Sequence, residues 1–166
     1  MGADLFPGMH DAARLWVIAL DAAADGGQGL EDGLATLFGQ WRHKGQAYSA
    51  AWEFLEDRLL LVVEPHMATE PSGCAIDGML RKVQGLAERH GRRVLGEDRV
   101  LVRLSGGLRD FDRAELGLRI ADGTLRGDTP VLDRALHHLG QLRADGLEKP
   151  MARTWIGRKH RIPVQA

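Results

Sequence analysis

The sequence predicts an α+β fold: a ferredoxin-like βαββαβ core over residues 1–104, then a C-terminal mixed α/β extension, residues 105–166, packed on it with a basic tail. Three observations predict this. Residues 14–20 and 59–63 are near-continuous apolar runs of strand length, which read as strands buried on both faces. Residues 30–41 and 75–90 carry apolar side chains at helical spacing. The resulting order, β-α-β-β-α-β, is the ferredoxin-like one, and its first and third strands are central, where the two solid apolar runs fall.

Each element has its own reason. Pro7-Gly8 reads as a turn, and residues 24–29 as a flexible Gly-rich loop. Leu30, Leu34, Leu37, Phe38 and Trp41 form one helical stripe, with Gly45 as its stop. Tyr48, Ala50, Trp52 and Phe54 alternate with Ser49, Ala51 and Glu53, a strand with one apolar face. Glu56-Asp57-Arg58 is the tight turn into the third strand. Residues 65–73 make a loop that is long for a compact domain. Ile76, Leu80, Val83 and Ala87 face inward from the second helix, which ends at Gly91. Val100, Val102 and Leu104 then alternate with Arg99, Leu101 and Arg103, a fourth strand with an apolar and a basic face.

In the extension, Asp112 and Glu115 have capping-box spacing, so a short helix starts there. Residues 118–120 and 131–132 read as short strands. Leu132, Ala135, Leu136, Leu139 and Leu142 suit a helix that ends near Gly146. Trp155 and Ile156 are expected to pin the tail to the body.

Composition narrows the class. Hydrophobic content of 44% and charged content of 27% suit a soluble globular domain. No apolar run is long enough to cross a bilayer, and the acidic N-terminus does not read as a signal peptide. Cys74 is the only cysteine, so no internal disulfide forms, which fits a cytoplasmic protein. A net charge of −1 argues against the whole molecule as a polyanion binder. The charge is uneven, however. Residues 1–40 hold six acids and one base, whereas Lys149, Arg153, Arg158, Lys159 and Arg161 face no acid in residues 149–166. The tail is expected to be solvated or paired on its own fold, and Trp155 to pack rather than stack on a base.

Two fragments imitate an ABC-type ATPase: residues 59–65 look like a Walker B strand, and residues 104–107 like the ABC signature. ATP hydrolysis of that kind is argued against. No Gly-Lys pair exists to build a Walker A loop, Val63 stands where Mg²⁺ needs an aspartate, and the signature-like fragment follows the strand it should precede.

Ser72-Gly73-Cys74-Ala75-Ile76-Asp77, after a strand, resembles the S-G-C-S-I-D mark of a small bacterial family of unassigned function, commonly mislabelled "ABC transporter ATPase". Alanine replaces the second serine. Residues 13–16, Trp41, residues 129–133 and the Thr154-Trp155 pair also resemble that family, so the likeness spans most of the chain. It implies no activity.

The same segment holds the candidate chemistry. Cys74 falls near the first turn of its helix, where unpaired N–H groups and the dipole favour a thiolate. Cys74 and Asp77 are therefore the catalytic candidates, with Asp77, and Glu64 as a second carboxylate, to orient the thiol; a cysteine packed in the core is the bland alternative. Ser72, Gly73 and Glu64 are the ligand-binding candidates, since a helix N-terminus can hold an anionic small ligand. Asp77, read as a first-turn carboxylate, opposes that. Glu64, His66, Glu70, Cys74 and Asp77 lack a metal-ligand spacing, and no cofactor is implied. His137 and His138 are adjacent and point apart. Arg81, Lys82, Arg89, Arg92 and Arg93 read as a solvated face. An RNP-type surface is missing because the third strand has no aromatic.

The expectation is a small non-enzymatic binding or interaction module, with an anion or small-ligand site at residues 72–77. Its partners would be a second copy along the edge strand 47–55 and an anionic small ligand, with no membrane. The alternative is a cysteine-dependent enzyme or redox protein using Cys74. The second alternative is nucleic-acid binding through the basic tail.

Overall fold

The computed structural model describes residues 5–23, 29–43, 45–47, 50–64 and 73–163, with residues 43, 46, 47 and 73–76 described by backbone alone. The first half of the chain gives β1 (Leu15–Ala19), α1 (Leu30–Gly39), β2 (Arg42–His43), β3 (Gln46–Ala47), β4 (Ala51–Leu55), β5 (Leu59–Val63) and α2 (Gly73–Arg89). The second half gives β6 (Val100–Leu104), β7 (Gly107–Phe111), α3 (Arg113–Ala121), β8 (Pro130–Leu132), α4 (Leu139–Asp145) and β9 (Glu148–Pro150). A 3-10 turn (Met151–Arg153) and α5 (Trp155–His160) follow.

The fold is α+β, with two principal antiparallel sheets ordered β1-β5-β4 and β7-β6-β8-β9. Successive strand residues point to opposite faces, and this explains why β1 and β5 are apolar throughout. Ile18, Leu60 and Val62 pack under Leu34, Phe38, Val83 and Ala87 of α1 and α2. Leu15, Val17, Leu59, Leu61 and Val63 face the other way, onto Leu101, Leu108 and Leu132 of the second sheet. The far face of that sheet, with Val100, Val102 and Val131, is covered by Leu116, Met151 and Ile156. Four layers result: helices, sheet, sheet, helices. Leu60 and Leu61 are both fully buried, so truncating either to alanine should cost about 2–5 kcal/mol.

The strand expected in fourth position beside β1 lies elsewhere. As β6 it belongs to the second sheet, between β7 and β8. The edge of β1 facing away from β5 receives two single bridges instead, Val94 to Leu20 and His138 to Arg14. Their hydrogen bonds run from Leu95 N to Ala19 O and from Leu15 N to His137 O, each 2.8 Å. β6 turns back at once because Ser105-Gly106 is a two-residue hairpin loop and Gly107 takes φ +108°, a value that favours glycine. The signature-like fragment is a turn.

Three further expectations are corrected. α1 stops at Gly39, a poor helix former, and Gly45 serves the turn between β2 and β3 with φ +79°. Residues 118–120 continue α3, whose N-cap Asp112 accepts the Glu115 N–H at 2.8 Å. The helix expected from Leu132 starts only at Leu139. Leu132 is held in β8 opposite Glu148, and the Asp133 carboxylate accepts the Ala135 N–H at 3.0 Å, a local turn that competes with helix. The expected loops 24–28 and 65–72, and Tyr48 and Ser49, lie outside the described residues.

Candidate functional site

β5 delivers Glu64 to the end of the first sheet nearest the start of α2. Its backbone N–H donates to Arg14 O at 2.9 Å, extending the β1–β5 ladder by one residue. Its side chain, on the same sheet face as Leu60 and Val62, is 3% exposed. Trp16 Nε1 donates to Glu64 Oε1 at 2.7 Å, and the Arg14 guanidinium lies 5.9 Å from the Trp16 ring centroid. A buried carboxylate is tolerated only when hydrogen-bonded, and the indole supplies that bond.

The other predicted residues are distributed differently. Gly73 opens α2, and Cys74 is its second residue. Ser72 and the Cys74 side chain lie outside the described residues, as do His66 and Glu70. Asp77 is exposed, and its carbonyl accepts from Arg81 Nε at 3.2 Å. Since α2 begins at Gly73, Asp77 falls in the second turn, and no acid lies in the first. The dipole argument that Asp77 raised against an anion at this terminus is therefore removed. Among the described contacts none joins Asp77 to Glu64, and among the described residues no His, Cys, Asp and Glu cluster could hold a metal ion.

A cleft of about 460 Å³ opens at the far end of the β4–β5 hairpin, lined by Leu59, Leu132, Glu56, Arg103, Asp145 and Glu148, among others. Arg103 Nη1 and Nη2 each meet a Glu56 carboxylate oxygen at 2.6 Å, and Nη2 also meets Glu148 Oε1 at 2.5 Å. These hydrogen bonds raise the Arg103 pKa and hold the Glu56 carboxyl below its ordinary value. The charge of the cleft is thus largely spent on itself.

The outer face of α5 has the opposite character. Thr154 caps the helix, its Oγ1 accepting the Ile156 N–H at 3.2 Å and donating to Met151 O at 2.8 Å. Ile156 is wholly buried, and Gly157 sits so close to the Ala152 carbonyl that a Cβ there would collide with its oxygen. With that side pinned, helical periodicity turns residues 155, 158 and 159 outward together. Trp155 is 42% exposed, and Arg158 and Lys159 are exposed beside it. Lys159 Nζ lies 5.9 Å from the Trp155 ring centroid, and Arg113 Cζ of α3 lies 5.7 Å from it.

The expectation that Trp155 and Ile156 both pin the tail therefore divides: Ile156 is the anchor, and Trp155 is displayed. The tail's charge divides too. Lys149 pairs with Asp133 at 2.7 Å and with Asp145 at 3.6 Å. Arg113, Arg153, Arg158, Lys159 and Arg161 are exposed, and no carboxylate among the described residues pairs with them. The i, i+3, i+4 placing of Trp155, Arg158 and Lys159 was visible in the sequence; Arg113 joins them only through the packing of α3 on α5. No family model, curated protein or solved structure matches the chain.

Proposed function

We propose that the chain is a non-enzymatic binding module that holds an anionic partner on the surface formed by α3 and α5. The observation that carries this is the exposed Trp155 indole with two cations against its ring, inside a group of exposed bases free of acidic partners among the described residues. Such a surface attracts anions although the whole chain is nearly neutral, because screening confines the acidic stretch 1–40 to its own neighbourhood. The Arg103 cleft is the weaker candidate, since Glu56 and Glu148 already satisfy its cation. At the start of α2 helix geometry alone points to a ligand, which makes it the weakest of the three places.

Two finer readings accompany it. The first half is ferredoxin-like in the sense of a split βαβ unit: β5 lies between β1 and β4 and antiparallel to both, and Val94 takes the start of the fourth position. β4 is an edge strand, so a homodimer would form by pairing along it, and sedimentation at several concentrations tests that.

The test of the main reading is titration with heparin at low and high salt, for the native chain and an Arg158→Glu/Lys159→Glu variant. Binding that weakens with salt and is lost in the variant is expected. Absence of binding at low salt would overturn the reading.

A further inference from the structure

We infer that the anionic partner of the α3–α5 surface is a single-stranded nucleic acid, with one base stacked on Trp155 and its flanking phosphates on Arg113, Arg158 and Lys159. This rests on the reading above and adds the chemistry of the partner. A polyanion without aromatic rings, such as a polysaccharide sulfate, has no flat π-face to lay on an indole left 42% exposed among basic side chains. Stacking on an aromatic set among cations is how single strands are held without sequence readout. Duplex bases are already stacked on one another, so a duplex would offer this surface its phosphates alone.

The geometry suits exchange. Both cations sit near the outer limit of about 6 Å for a cation–π contact, at 5.7 and 5.9 Å, and both side chains are exposed. An arriving base can displace one of them from the ring, and the displaced cation then lies next to the incoming phosphate. Arg153 and Arg161, at either end of α5, extend the basic surface along the strand's path. The chain has no asparagine, and α3 and α5 have no glutamine. The amide side chains that read adenine edges are thus missing, and preference for adenine should be slight.

An anionic membrane is the competing occupant. It fits less well, because burying the Trp155 ring in lipid would drag Arg113 and Lys159 toward hydrocarbon. Leu118, the other large exposed apolar residue among the described residues at 69%, is five positions from Arg113, on a different side of α3.

The full chain is titrated with an oligo(dT) and an oligo(U) of about 20 nucleotides, with a duplex of equal length, with heparin, and with phosphatidylserine vesicles. Tryptophan emission and anisotropy are the readouts. Either oligonucleotide should quench part of the emission, and Trp155→Ala should abolish the quench and weaken binding about tenfold or more. Contacts to about four phosphates give a log–log salt slope near −3, and Arg158→Gln should reduce its magnitude by about 0.7. Equal affinity of Trp155→Ala, or a preference for duplex, heparin or vesicles without quenching by the oligonucleotides, would overturn the inference and leave the anionic-surface reading standing. Failure of every polyanion to bind would remove both. Circular dichroism of Trp155→Ala guards against loss of fold.

Discussion

Arg92 Nη2 donates to the main-chain carbonyl of Asp57 at 2.6 Å, so a side chain just beyond α2 grips the tip of the β4–β5 hairpin. Its Nη1 meets Asp57 Oδ2 at 3.1 Å, and its Nε meets Asp21 O at 3.1 Å. One guanidinium thereby ties the end of β1, the hairpin and the exit of α2, and the side chain is 1% exposed. It is not part of a solvated basic face. Asp57 takes φ +53° and Glu56 φ +50°, a left-handed pair in the three-residue turn between Leu55 and Leu59 that is costly without glycine or asparagine. Arg92 on Asp57 and Arg103 on Glu56 hold that turn from its two sides.

Replacing Arg92 should therefore be costly. A lysine cannot reproduce a fork that serves two carbonyls and two carboxylates, and alanine leaves those carbonyls without donors and opens a cavity. Arg92→Lys should lose about 2 kcal/mol of stability and Arg92→Ala about 3–5 kcal/mol. Urea denaturation measures both, and a loss within error of zero for Arg92→Ala would refute the staple.

Acid should loosen the same end of the molecule. Hydrogen bonds from Arg103 hold the Glu56 carboxyl below its ordinary 4.5. At Asp110 burial pushes the pKa up, but hydrogen bonds from Arg58 and Arg99 outweigh it and keep the group below its ordinary 3.8. A carboxyl with a lower pKa when folded binds fewer protons in the native state than in the unfolded one, so its contribution rises with pH. That contribution is complete above the ordinary values and is lost as pH falls through the folded ones. Stability should decline from about pH 4.5 downward, and Glu56→Gln/Asp110→Asn should decline less steeply. Denaturation midpoints between about pH 3 and 7 give the comparison, and an unchanged slope in the double variant counts against these groups.

Gly157 permits the seat of α5. A methyl there would press on the Ala152 backbone, on its carbonyl oxygen and, at 2.6 Å, on its Cα, and backbone cannot swing aside as a side-chain end can. Gly157→Ala should cost about 1–3 kcal/mol and speed hydrogen exchange at the Ile162 N–H, which bonds Gly157 O at 2.9 Å. Gly33→Ala is the control: its nearest clash, at 2.7 Å, is the Leu86 Cδ1 methyl, which can rotate away. If both variants lose the same stability, the close approach of α5 is not what makes Gly157 special.

How much could be read in advance follows from where each constraint lies along the chain. β1, β5 and α2 were legible because their apolar patterns are local and strong, and the Asp112 cap because Glu115 sits three residues on. The short strand at 131–132 was legible, but the helix expected from Leu132 was not where helical spacing through Leu142 put it, because the pairing of Leu132 with Glu148 is revealed by no local pattern. Arg92 was misread because its burial depends on Asp21 and Asp57, both far away in sequence. At the candidate surface Ile156 was legible as an anchor, but the display of Trp155 depends on Gly157 meeting Ala152 and on α3 bringing Arg113 alongside. The buried role of Glu64 was half legible: its place at the end of an apolar strand was plain, and its bond to Trp16 came only with the β1–β5 register.

That bond makes a prediction that separates structure from charge. Trp16 Nε1 needs an acceptor in a site where Glu64 is 3% exposed, and a neutral amide oxygen accepts as a carboxylate does. Glu64→Gln should therefore keep the contact and change stability by less than about 1 kcal/mol. Glu64→Leu should lose about 1–3 kcal/mol, because the indole N–H is left without its partner while the apolar volume is kept. Trp16→Phe in the Glu64→Leu background should recover part of that loss, since removing both partners of a buried hydrogen bond costs less than removing one. A double-mutant cycle by chemical denaturation measures the coupling, and a coupling of zero would mean that the 2.7 Å contact contributes nothing to the fold.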